Sequence, residues 1–116
     1  MWLVRGNVVL ASLEVAEART ERRRGLLGRD GIEGALLLRP ARSVHTLRMR
    51  FAIDVAYLDA GGTVLRVTTM KPWRIGAPVL AARSVVEAEA GSFARWEVRI
   101  GDVLEVKGAE HGSECA

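Results

Sequence analysis

Residues 44–59 read Val44-His45-Thr46-Leu47-Arg48-Met49-Arg50-Phe51-Ala52-Ile53-Asp54-Val55-Ala56-Tyr57-Leu58-Asp59. Successive side chains of an extended chain point to opposite sides. Read as extended, the segment puts His45, Leu47, Met49 and Phe51 on one face and Thr46, Arg48 and Arg50 on the other. Ile53, Val55 and Tyr57 continue the apolar face, with Asp54 opposite them. Asp59-Ala60-Gly61-Gly62 then forms a hairpin turn into a strand from Thr63 to Met70, because paired glycines supply the backbone freedom that a tight reversal needs. In that second strand Leu65 and Val67 point one way, Arg66 and Thr68 the other. This hairpin sets a strand-rich fold.

The flanking sequence agrees. Toward the N-terminus, the turn signal Gly6-Asn7 precedes an aliphatic, β-branched run from Asn7 to Val15 that reads as a strand. Acid-before-base spacing from Ala18 to Leu27 supports a short helix. Gly34 to Leu38 is a short buried strand stopped by Pro40. Beyond the hairpin, Pro72, Trp73, Gly76 and Pro78 make Lys71–Ala82 a loop, which Trp73 is expected to pin to the body. Ser84–Glu89 is a strand, Ser92 caps one or two helical turns through Trp96, and Val103–Val106 is the last strand. The expected architecture is a single α+β domain over residues 1–108, strand-rich with one or two short helices, and a flexible tail over 109–116.

The 116 residues, 49% hydrophobic and 27% charged, suffice for one core. No apolar run approaches the roughly 20 residues of a membrane span. Val8 to Leu13, closed by Glu14, is too short for a secretion signal core, and one cysteine, Cys115, has no partner for an intrachain disulfide. Both features point to the cytoplasm. The net charge of +3 comes from dispersed arginines, a pattern that also suits a GC-rich genome. Only Arg22-Arg23-Arg24 forms a run, with no interleaved aromatics for base stacking, so nucleic acid is a disfavoured partner. Two histidines, His45 and His111, and one cysteine build no metal cluster. Phosphate-loop, dinucleotide and serine-elbow motifs are absent. No metal or cofactor is expected.

Three blocks carry a resemblance. Glu21-Arg22 with Arg24-Gly25-Leu26-Leu27-Gly28-Arg29 is similar to E-R-x-x-G-L-x-x-R. Residues 44–59, followed by Gly62 and Val64, resemble V-H-T-x-x-M-R-F-P-I-D-V-x-F-L-D. Val85-Val86-Glu87-Ala88-Glu89-Ala90-Gly91, with the later Gly101-Asp102, is similar to V-L-E-x-x-A-G and G-D. In this order they resemble the family catalogued as domain of unknown function 192, from about Leu13 to Leu104. The resemblance implies a compact β-barrel-like sheet with short helices, and no agreed activity, substrate or cofactor. Two positions depart from the pattern: Ala18 stands where a threonine or serine often caps the first helix, and Ala52 where a proline precedes I-D.

Asp54 is the first candidate site residue, because an ionised carboxylate among Phe51, Ile53, Val55 and Tyr57 needs a partner if it is buried. One reading has it accept backbone or arginine hydrogen bonds and fix a turn. The other has His45, Arg48 and Asp54 face a ligand in a small polar pocket, with Arg29 closing it by inference from the resemblance. Histidine titrates near neutral pH and arginine holds anions. That pocket requires a bend, since strand alternation separates His45 from Arg48 and Asp54. The functional expectation is a binding module with a groove near residues 44–54, taking a small molecule or a peptide. The alternatives are a hydrolase or transferase using His45 and Asp54, and a nucleic-acid-associated protein.

Overall fold

Two strands form at the N-terminus, where the aliphatic pattern alone marks one. β1 (Trp2–Arg5) and β2 (Val8–Ala16) pair antiparallel, from Trp2 opposite Ser12 to Arg5 opposite Val8, and Gly6 turns the corner at φ +61°. The Gly6-Asn7 signal is thus the tip of a hairpin. The computed structural model describes residues 1–108, so the tail expected over 109–116 lies outside the described residues.

After β2 comes α1 (Arg19–Arg24), shorter than the sequence suggests. The Glu21 carboxylate reaches back to accept the Ala18 N–H at 3.1 Å, but Ala18 has no side-chain acceptor to return to the helix. A serine there would satisfy one of the free amides of the first turn. Ala18→Ser is expected to stabilise the fold by about 1 kcal/mol, read as a higher urea midpoint. An unchanged midpoint would show that α1 contributes nothing to the cooperative unit.

β3 (Ala35–Leu38) lies parallel to β2, with Leu13 opposite Ala35. β4 (Ile53–Leu58) and β5 (Val64–Met70) form the expected hairpin, and β6 (Ser84–Glu89) inserts between β4 and β3. α2 (Ser92–Trp96) and β7 (Glu105–Lys107) complete the described chain. The seven strands form one sheet in the order β5-β4-β6-β3-β2-β1-β7. Every residue of β3 and β4 is buried, as befits central strands covered on both faces, which read as continuous apolar runs rather than alternating ones. One face packs Leu3, Leu37, Ala56, Leu58, Val86 and Phe93 together; the other packs Leu26, Leu36, Met49, Val55, Tyr57 and Val85.

The sheet curls without closing into a barrel. Its two ends meet at one corner, where Thr63 bridges Val103, the Val64 N–H donates to the Asp102 carbonyl at 2.8 Å, and the Leu104 N–H donates to the Gly62 carbonyl at 2.9 Å. Gly62 sits there at φ +87° against the Leu104 backbone, with no room for a side chain. The chain is an α+β, strand-rich fold, and its likeness to a barrel rests on this curl.

Residues 44–52 depart from the extended reading. His45 makes an isolated bridge to Ile75, and the chain then turns through Thr46–Met49 with Arg48 at φ +64°. The cause is Thr46, which is fully buried. Its hydroxyl donates to the Lys71 carbonyl at 2.6 Å and accepts the Arg74 N–H at 2.8 Å, while its backbone bonds Trp73 and Arg74. These tertiary bonds draw the segment out of the sheet and override its local alternation. They also hold the Lys71–Ala82 loop, a role expected of Trp73, which instead is 61% exposed. No helix among the described residues is long and apolar enough to cross a membrane.

Candidate functional site

β4 alternates between the two cores. Ile53, Val55 and Tyr57 point toward the α1 side, and Ala56 and Leu58 point toward the α2 side. Asp54 shares the parity of Ala56 and points to the α2 side. Its Oδ1 accepts the Thr69 hydroxyl at 2.7 Å, and its Oδ2 accepts the N–H groups of Gly91 and Phe93 at 2.9 and 3.0 Å. Asp54, not Ser92, therefore holds the start of α2, with Gly91 at the N-cap position in the left-handed region. These partners are backbone amides and a hydroxyl, with no arginine or imidazole among them.

The other expected members of that pocket lie elsewhere. His45 is exposed on the α1 side of the sheet, where its Nδ1 accepts the Leu47 N–H at 3.3 Å. Arg48 is exposed in the turn. Arg29 forms a two-pronged ion pair with Glu14, both bonds 2.9 Å. Hydrogen bonding to Arg29 holds the Glu14 carboxyl below its ordinary value and raises the guanidinium in turn. The pair lies at the surface, with Glu14 exposed and Arg29 half-buried, so Arg29→Ala is expected to lower stability by less than about 1 kcal/mol, as measured by urea denaturation. A larger loss would mean that Arg29 braces more than Glu14.

His45 does line a cleft, on the α1 side. Arg22 to Leu27 form one wall, Ser43 to His45 and Met49 the other, and Leu38 and Glu87 the base, enclosing about 80 Å³. Glu87 lies on β6 between Leu36 of β3 and Val55 of β4, and is 5% exposed. Burial alone pushes its pKa up to about 7, with no hydrogen bond or cation opposing the shift. Gly25 approaches it closely enough that a β-carbon there would lie 4.0 Å from Glu87 Oε1, and at φ +49° the position disfavours any side chain. Chemically, the cleft offers a desolvated carboxyl that exchanges its proton near neutrality, flanked by an imidazole and by arginines.

Glu87 was absent from the expected site. The signal that singles out Asp54, an acid inside an apolar strand, is equally present in Val85-Val86-Glu87-Ala88. In addition, the cleft gathers all three blocks of the resemblance: residues 22–27, residues 44, 45 and 49, and Glu87.

Comparison with known proteins bears on the family rather than on the cleft. The model of the family described as Uncharacterized ACR, domain of unknown function 192, matches residues 3–106. A UPF0127 protein of Pyrococcus abyssi is 33% identical over 98 residues, which are 80% of this chain and 84% of that protein. Two crystal structures share the fold. A protein of unknown function from Novosphingobium aromaticivorans superposes with a TM-score of 0.77 at 20% identity, over 90% of this chain and 82% of that one. A candidate transcription regulator from Sinorhizobium meliloti superposes at 0.71 and 23% identity, over 80% of this chain and 79% of that one. The chain belongs to the domain of unknown function 192 family, whose biochemical role is not established.

Proposed function

We propose that this family member is a binding module that receives the hydrogen-bond-donating tip of a small molecule or peptide onto Glu87. The observation that carries this reading is an acid side chain, 5% exposed, that reaches the cleft and has no hydrogen bond or ion pair to protein among the described residues. A carboxyl in that state is unfavourable for the fold alone, and a bound hydroxyl or amine would supply the missing partner. The 80 Å³ space suits a group of two or three heavy atoms, since one water takes up about 30 Å³. The Arg22–Arg24 rim favours an anionic remainder of the ligand outside the cleft.

An enzyme built on His45 and Asp54 gains no support, because the two side chains lie on opposite faces of the sheet. A nucleic-acid role, such as the name of the Sinorhizobium protein suggests for that protein, rests in this chain on its +3 net charge alone. The proposed compartment is the cytoplasm, supported by the lone cysteine.

Titrating the nitrogen-15-labelled protein with pools of hydroxy- and amino-carboxylates tests the proposal. Amide shifts are expected at residues 22–27, 43–49 and 87 without conversion of the added compounds, and Glu87→Leu should abolish them. Shifts that persist in Glu87→Leu, or that gather around Asp54, would refute the site. Turnover lost in a folded His45→Ala variant would replace binding by catalysis.

A further inference from the structure

A second surface, on the far side of β4 from the Glu87 cleft, carries features of its own. β5 is an edge strand, hydrogen-bonded to β4 on one side and, among the described residues, unpaired on the other from Leu65 to Met70. An open edge presents a row of unsatisfied N–H and C=O groups that can accept another strand. Beside it runs a trough of about 490 Å³, between the β5 face that carries Arg66 and Thr68 and the loop of residues 71–77. Arg66, Lys71 and Arg74 line the trough, and no carboxylate does. None of these cations forms an ion pair among the described residues.

The adjoining loop is held rigidly while displaying apolar side chains. Trp73 and Ile75 are 61% and 77% exposed. Trp73 is kept at φ +66°, an unfavourable conformation for a bulky residue, by the bonds from Thr46 to Lys71, Trp73 and Arg74. Pre-organised, exposed aromatic anchors next to arginine are typical of recognition surfaces.

We propose that an extended acidic peptide segment of a partner protein docks here by adding a strand to β5. Its backbone pairs with the open edge, its carboxylates meet Arg66, Lys71 and Arg74, and its apolar side chains pack on Trp73 and Ile75. The open strand edge selects a polypeptide, and the uncompensated positive charge selects an acidic one.

The probe is a capped octapeptide alternating glutamate and valine, compared with its lysine–valine counterpart. The acidic peptide is expected to shift amides of residues 65–77 and to bind more weakly as salt is raised. Arg66→Glu with Arg74→Glu should weaken it about tenfold or more and reverse the preference toward the lysine peptide. Trp73→Ala should weaken the acidic peptide without that reversal. Equal binding of the two peptides, shifts outside residues 65–77, or preferential binding of a short oligothymidylate at this surface would overturn the proposal.

Discussion

Asp54→Ala is expected to remove about 3 kcal/mol of folding stability, because the amides that lose their acceptor each cost on the order of 1–3 kcal/mol when orphaned. Those amides belong to Gly91 and Phe93, and the Phe93 bond is buried. Thr69 contributes less, since it is solvent-exposed and its hydroxyl can turn to water. Asp54→Asn should be far milder. Its amide oxygen can take the place of Oδ2 and accept both N–H groups, while its NH₂ faces the Thr69 hydroxyl, which can accept as well as donate. The expected loss for asparagine is about 1 kcal/mol. Urea denaturation of both variants provides the measurement. Equal losses would refute the view that Asp54 acts as an acceptor for the start of α2.

Glu87→Gln should act in the opposite direction, stabilising the protein at alkaline pH. In the folded chain burial raises Glu87 to about 7 from an ordinary 4.5, so the native state holds a proton that the unfolded chain has released between those values. The stability of the neutral form is fully present below about pH 4.5 and is lost as pH rises through 7, in total on the order of 3 kcal/mol. Glutamine has nearly the same shape and no charge to desolvate. Urea midpoints of Glu87→Gln and the parent should therefore converge at pH 4.5 and separate by pH 8, with the variant more stable. A constant separation across that range would mean that Glu87 is solvated in the native state. A stabilising substitution at a buried acid is the pattern expected where fold stability is given up for a binding role.

The sequence and the structure agree best where local signals and packing coincide. β6 spans Ser84–Glu89 as its β-branched run indicates, and the turn at Asp59–Gly62 joins β4 and β5 as the paired glycines require. They part at residues 44–52, where the alternating pattern is real but Thr46 bonds to residues 25 and 28 positions further along the chain. Such partners leave no trace in a local period. The same distance hides the role of Asp54, whose amide partners lie 37 and 39 residues on. That it needs partners is legible from its apolar neighbours; which partners it finds is not. His45 lines the cleft that holds Glu87, whereas Arg29, Arg48 and Asp54 do not. Glu87 shows that a lone acid in an apolar strand is best judged everywhere it occurs, not only in the block most alike to a family signature.

The pairing of β1 with β7, which sets Trp2 opposite Lys107, has a consequence for biosynthesis. Among the described residues the first strand is sealed by the last, so an emerging chain can assemble its central strands on the ribosome but leaves one flank of the sheet bare until β7 has been made. Closing so long a loop late makes folding slow for a chain of this length, on a timescale of about milliseconds to seconds. During that interval the nascent β1–β2 hairpin is the element most in need of protection from neighbouring chains.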